Sequence, residues 1–293
     1  MDALRWAVVG VGIAGRARSV ALHESRRDEL VALWNGRFAA DVAAETGAMV
    51  APSFEAAIAR ADAVAIASPT EHHAAQVRAA LRAGKHVVVE FPVARSRAEA
   101  EALFALARHQ QRVLHVEHIE LLEAAGRTLC AQTRPELLSS VSVHFERSGP
   151  DDAGAPALAL SNVARLHRLC AVAGEMQSID TVDASPGELR ATLRSKHGVE
   201  ATCSFLQGPY FQRTTLIDVH TSAASWQQKN SNLRRDGRNV SLLGTRSLFA
   251  ADQRVATSRI LDGEPPYVTE ERILHVLDLV ERLGRLQTGR VGA

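Results

Sequence analysis

The chain reads as an α/β protein: a doubly wound parallel sheet at the N-terminus, then an α+β domain built on an open, mostly antiparallel sheet. Three observations predict this. Through residue 120, short apolar runs alternate with helical stretches, the rhythm of parallel βαβ units. Beyond it, segments alternate residue by residue between apolar and polar, as strands with one buried face do. A chain of 293 residues, 46% of them hydrophobic, is long and apolar enough for two cores.

The elements follow in order. Leu4–Val9 predicts the first strand, closed by Gly10, and Gly15–His23 a helix. Leu30–Trp34 predicts a strand stopped by Asn35-Gly36, and Ala39–Thr46 a helix ended by Gly47. Val50 marks a short strand. Ser53 is placed as the N-cap of a helix over Phe54–Ala61. Ala63–Ala67 is a buried strand broken by Ser68-Pro69, and Thr70 is read as the cap of a helix to Ala83, stopped by Gly84. His86–Glu90 is the next strand, Ser96 opens a helix over Arg97–His109, and Arg112–Val116 is again a strand. In the second half, Leu137–Phe145 predicts a strand, Ser148–Pro156 a loop and Asn162–Val172 a helix. Ser178–Ala184, Glu188–Ser195, Glu200–Leu206 and Thr214–Thr221 predict sheet strands. Thr128–Ser139 reads as a connector, and Arg234, Arg235 and Arg238 as a charged hairpin turn. Glu270–Leu286 is a closing helix with the option of packing back on the first domain. The expected domains are residues 1–120 and 121–293.

Composition removes several function classes. Thirty-four basic against 33 acidic side chains leave no general field for nucleic acid or an anionic membrane. No apolar run approaches the roughly 18 residues of a membrane span. The N-terminus enters a strand without a signal-peptide pattern, and Cys130, Cys170 and Cys203 stand far apart, so a reduced, cytoplasmic setting is expected. His72 and His73 lack acidic or Cys partners nearby, so no metal is expected. Only Lys85, Lys196 and Lys229 are available for lysine chemistry.

Gly10-Val11-Gly12-Ile13-Ala14-Gly15 matches G-x-G-x-x-G between a strand and a helix, the context that gives the pattern meaning. Gly10 permits the tight turn, Gly12 lets a pyrophosphate approach the backbone, and Gly15 lets helix and strand pack closely. The helix N-terminus offers N–H groups and a positive dipole, with Arg16 and Arg18 adding charge. The N-terminal domain is therefore expected to be a Rossmann fold. The end of the second strand reads Trp34-Asn35-Gly36-Arg37. No carboxylate stands there to hold a ribose 2′-OH, and Arg37 suits a 2′-phosphate, so NADPH is favoured over NADH.

The segment Ala67–Pro92, ASPTEHHAAQVRAALRAGKHVVVEFP, resembles the Gfo/Idh/MocA oxidoreductase family. Ser68-Pro69-Thr70 with His73, then Ala83-Gly84-Lys85-His86-Val87, then Glu90-Phe91-Pro92, carry the likeness. The family's E-K-P lysine, often an acid/base in its sugar dehydrogenases, is Phe91 here. An aromatic at that place resembles the animal-type biliverdin reductase branch, as do Val113–Leu122, Ser148-Gly149-Pro150, Asn162–Leu169 and Arg272–Val280. Two departures stand within the branch: Phe91 lacks a phenol hydroxyl, and Val116 replaces a glutamate.

The resemblance implies hydride transfer from NADPH, with NADH as the other option, to the central methine carbon of biliverdin, a linear tetrapyrrole. It places Glu90-Phe91-Pro92 beside the nicotinamide, with the bond before Pro92 cis, and the substrate between the C-terminal sheet and the nicotinamide. Ser68, Pro69, Thr70 and His73 join the cofactor-binding set with Asn35 and Gly36. Arg165, followed by Arg168, is expected to meet substrate carboxylates, because guanidinium pairs with them bidentately and stacks on π systems. Glu117, His118 and Glu120 follow a strand end, where doubly wound sheets place ligands, and His118 is a candidate proton donor. Reduction of another conjugated imine or enamine, and a cofactor-binding regulator without turnover, are the alternatives. The expected assembly is a monomer or weak homodimer.

Overall fold

The computed structural model describes residues 3–148, 158–208, 213–244 and 247–289. The chain forms two compact units, Met1–Ile119 with Arg246–Glu270, and Glu120–Thr245 with Glu271–Ala293.

In the first unit, β1 (Leu4–Val9), β2 (Asp28–Trp34), β3 (Met49–Val50), β4 (Ala63–Ile66), β5 (His86–Val89) and β6 (Leu114–Val116) form a parallel sheet of order β3-β2-β1-β4-β5-β6. The order reverses between β1 and β4, and such a switch point opens a crevice at the strand C-termini. Helices α1 (Ile13–His23), α2 (Ala39–Thr46), α3 (Phe54–Ala59), α4 (Thr70–Arg82) and α5 (Arg97–His109) alternate with the strands. Trp6, Val8, Leu22, Leu33 and Val88 build one core cluster. Ala7, Ala32 and Ala57 build another, their small side chains suiting close packing of α3.

Local chemistry sets most element ends. Ser53 Oγ accepts the Ala56 N–H at 3.1 Å and Ser96 Oγ the Glu99 N–H at 3.2 Å, both N-caps as expected. Thr70 is not a cap: Pro69 occupies that position, and Thr70 is the first helical residue. The first unit also takes in α9 (Leu248–Leu261), a helix the hydrophobic pattern did not reveal. This segment returns to the first unit. Its buried residues include Asp252, Gln253 and Thr257, which find polar partners on the nucleotide-type domain: Arg18 for Asp252 and Asp28 for Thr257.

In the second unit, β7 (Leu138–Ser148), β8 (Met176–Ser185), β9 (Glu188–Ser195), β10 (Glu200–Gly208), β11 (Arg213–Thr221), β12 (Ser225–Lys229), β13 (Asn232–Arg235) and β14 (Arg238–Asn239) form an open sheet of order β14-β13-β12-β11-β7-β10-β9-β8. All neighbours are antiparallel except β7 and β10. Helix α8 (Val163–Ala173), preceded by α7 (Leu158–Ser161), lies on β7 and β10, with Leu166, Leu169 and Cys170 fully buried. α6 (Ala124–Gln132) replaces much of the expected connector, and α10 (Glu270–Gly289) closes the chain. The loop expected over Ser148–Pro156 lies, from Gly149 onward, outside the described residues.

Candidate active site

The glycine loop separates packing demands from ligand access. A Cβ on Gly10, at φ +86°, would lie 2.4 Å from the Ser68 nitrogen, and one on Gly15 would lie 2.2 Å from the Gly10 carbonyl oxygen. Both glycines are required by the turn itself. A Cβ on Gly12 would meet nothing within 4 Å, so packing does not explain that glycine; an open approach to the helix N-terminus does. Ile13 and Ala14 begin α1, and Ile13 is 75% exposed, an apolar surface beside that approach. Asn35 and Gly36 wrap the loop from behind. Val11 N–H donates to the Asn35 carbonyl at 2.6 Å, and a Cβ on Gly36 would meet Val11 backbone at 2.4 Å. Arg37 is exposed and lies over the Phe38 ring, 4.6 Å from its centroid. Arg16 reaches the same ring and pairs with Glu45 at 3.1 Å. These features fit a dinucleotide: two glycines that only the turn explains, one that only a ligand explains, and a cationic rim.

Arg18, expected beside the phosphates, is turned inward instead. It is 1% exposed and pairs with Asp252 at 2.6 Å and Glu90 at 3.7 Å. Asp252 also accepts from Tyr267 Oη at 2.6 Å and contacts His115 Nε2 at 2.8 Å. Burial opposes the ionised form of Asp252, but Arg18 and then His115 hold its carboxyl below the usual carboxylate range. Sequence reasoning missed Asp252 and Tyr267, because both arrive on the returning segment.

The ends of β4, β5 and β6 converge. Buried His73 bridges two turns, with Nδ1 2.8 Å from the Pro92 carbonyl oxygen and Nε2 2.7 Å from that of Ser68. It braces Ser68-Pro69 against Phe91-Pro92, while Ser68 Oγ donates to Gln76 at 2.5 Å. Thr70 is partly exposed at the start of α4. The Phe91–Pro92 bond is cis, as the resemblance implied. The Phe91 ring stacks on His118, centroids 5.7 Å apart and planes 14° apart. His118 donates its backbone N–H to Tyr267 Oη at 2.8 Å. Burial, then His115, pushes its imidazole down to about 3. His118 is therefore neutral at pH 7, a ring for Phe91 to stack on and not an imidazolium donor. Glu117 is fully buried beside Glu90, and burial followed by the Glu90 charge raises its carboxyl well above the ordinary value.

The remaining residues of the expected set meet in the second unit. Arg165 pairs with Glu120 at 3.0 Å and lies 3.7 Å from the centroid of the Phe145 ring. Arg168, 5% exposed, reaches Glu120 at 3.9 Å and Glu123 at 3.4 Å. Gln228 donates to Glu123 at 3.1 Å. The two guanidiniums are thus held by carboxylates on the segment entering α6, and neither is a solvated surface cation. Glu123, Gln228 and Phe145 were missed because they are brought together only by the sheet. Within their units, the structure assembles Glu90, Phe91, Glu117 and His118, and separately Glu120, Arg165 and Arg168.

Residues 4–118 match the model of an oxidoreductase family with an NAD-binding Rossmann fold. The chain is 29% identical to biliverdin reductase A of Mus musculus over 233 residues, 77% of this chain and 76% of that one. Among solved structures, biliverdin reductase from Synechocystis sp. PCC 6803, in complex with biliverdin and NADP+, superposes with a TM-score of 0.83 at 24% identity, covering 97% of this chain and 98% of that one. UDP-N-acetylglucosamine 3-dehydrogenase from Acidithiobacillus ferrooxidans superposes with a TM-score of 0.85 at 21% identity, covering 98% and 99%. These two structures share the fold. Residues 4–118, which carry the glycine loop and the Glu90-Phe91-Pro92 turn, thus match the Gfo/Idh/MocA oxidoreductases with their NAD-binding Rossmann fold.

Proposed function

We propose that the protein is an NADPH-dependent biliverdin reductase, which reduces the central methine carbon of the tetrapyrrole to give bilirubin. The observation that carries this reading is Phe91 stacked on a neutral His118, at the strand end where the family's sugar dehydrogenases hold a lysine. Oxidation of an alcohol needs a group there to take the hydroxyl proton, and a benzyl ring moves none. An electron-poor conjugated carbon accepts hydride without one, and it offers a flat face that suits aromatic packing. Similarity to biliverdin reductase A over three quarters of the chain supports the same substrate.

The glycine loop and the α1 N-terminus would hold the pyrophosphate, and Arg37 the 2′-phosphate. Glu90, Phe91 and Pro92 would border the nicotinamide, which supplies the hydride when bound. Arg165 and Arg168 would offer cations to the two propionates. The three free cysteines suit a reduced, cytoplasmic setting.

Purified protein mixed with biliverdin and NADPH, with NADH in parallel, tests this directly. Loss of the long-wavelength biliverdin band with growth of the bilirubin band is expected, faster with NADPH. A protein that binds NADPH and leaves biliverdin unchanged would overturn the substrate and turn attention to conjugated imines.

A further inference from the structure

Glu90 and Glu117 directly follow two neighbouring parallel strands, β5 and β6, whose register pairs Val89 with Val116. The register brings the two carboxyls out side by side, and burial followed by the Glu90 charge raises the Glu117 carboxyl. Two ionised carboxylates at neighbouring strand ends have no donor to offer one another and repel, so a proton between them relieves the pair. The surroundings supply little else. One oxygen of Glu117 takes the Ile119 N–H at 2.5 Å, and the other receives no donor among the described residues.

The titratable groups acting on the pair include Arg18 from α1, Asp252 from α9 and Tyr267 after α9, with His115 on Asp252 and the His118 backbone on Tyr267. Arg18 is the cation that acts on Asp252, Glu90 and Glu117 together, and it sits on Asp252 at 2.6 Å. A buried cation already neutralised by one carboxylate cannot also offset two more charges in a dry interior.

We propose that Glu90 and Glu117 hold one proton between them and deliver it to the substrate during reduction, Glu90 as the donor and Glu117 as its positioning partner. Delivery rests on the reductase reading above; the shared proton does not. In the step, the O–H bond of the pair breaks and an N–H bond forms at a pyrrolic nitrogen of the acceptor. The hydride accounts for both electrons, and the nucleotide leaves oxidised. The pair, now fully ionised, refills from solvent through Glu90, which is 17% exposed where Glu117 is sealed.

Infrared spectroscopy of the ligand-free protein at neutral pH tests the shared proton. A protonated-carboxyl band that shifts in D2O is expected, absent from E117Q and from E90Q and retained in E117D. Absence of the band from the wild type would overturn the proposal. Delivery has two readouts. A pH indicator should report proton release on binding cationic NADP+ but not NADPH, lost in E90Q, and this needs no substrate. With biliverdin, E117Q should lower kcat about 10²-fold with KM little changed, and should abolish the fall of kcat toward alkaline pH. Should E117Q fail to fold, E90Q, altered at a partly exposed position, carries the same kinetic test. A band present with kcat unchanged in both variants, or with no proton release, would overturn delivery. A band and proton release without biliverdin turnover would sink the tetrapyrrole reading alone.

Discussion

Gly10 and Gly12 sit two residues apart and answer to different demands. Alanine at position 10 must adopt φ +86° and push into Ser68, so G10A should lower the thermal midpoint through roughly 1–3 kcal/mol of backbone strain. Alanine at position 12 touches nothing in the chain. G12A should melt like the wild type yet raise the KM for NADPH about tenfold, because its methyl stands where phosphate must approach. Arg37 makes a matching case at the cofactor rim. R37E should weaken NADPH about 10- to 100-fold, the worth of a charge-assisted bond, while leaving NADH nearly unchanged, as parallel initial-rate curves would show. At this scale the sequence was legible where a residue's identity is its function, as in the glycines and Phe91. It misplaced Arg18, whose type suits a phosphate and whose position in the fold gives it to Asp252.

Helices were legible when their ends carried a capping side chain and their buried face was apolar. Ser53 and Ser96 announced α3 and α5. Helix α9 did neither in the usual way: its cap, Ser247, precedes a stretch whose buried residues are Asp252, Gln253, Ala256 and Thr257. Hydrophobic periodicity cannot find a helix that buries polar groups against polar groups. The same inversion makes α9 fragile. D252N would leave the buried Arg18 guanidinium with only the more distant Glu90, at a cost of up to about 3–5 kcal/mol, read as a lower urea midpoint. Strand alternation fared better in the second unit, where Glu188–Ser195 was legible to the residue. The parallel pairing of β7 with β10 was not, since period-two patterning says which face is buried and nothing about the neighbour.

For the whole protein, two buried groups of the first unit tilt stability with pH in opposite directions. His118 is held near 3, well below a free imidazole, so the unfolded chain binds the extra proton. Its contribution is complete above about pH 6.5 and is lost as pH falls toward 3, amounting to about 5 kcal/mol at most. Glu117 is raised, so the folded chain keeps the extra proton. Its contribution is complete below the ordinary carboxylate value and is lost as pH rises through the raised one. Urea midpoints across pH should therefore fall less steeply on the acid side in H118N and less steeply on the alkaline side in E117Q.

The discontinuity of the first unit carries a consequence for how the molecule is made. Arg18 and its neighbour Gln253 on α9 are separated by 235 residues, with the whole second sheet encoded between them. On the ribosome, the dinucleotide half emerges early with a cation committed to its interior and its 2.6 Å counter-charge, Asp252, not yet synthesised. At about 5–20 residues per second, the wait for residue 252 lasts tens of seconds. A nascent chain stalled before residue 246 should be readily cleaved by protease around α1, and one extended past residue 270 should resist. Excising residues 1–120 as a free-standing module would make that interval permanent.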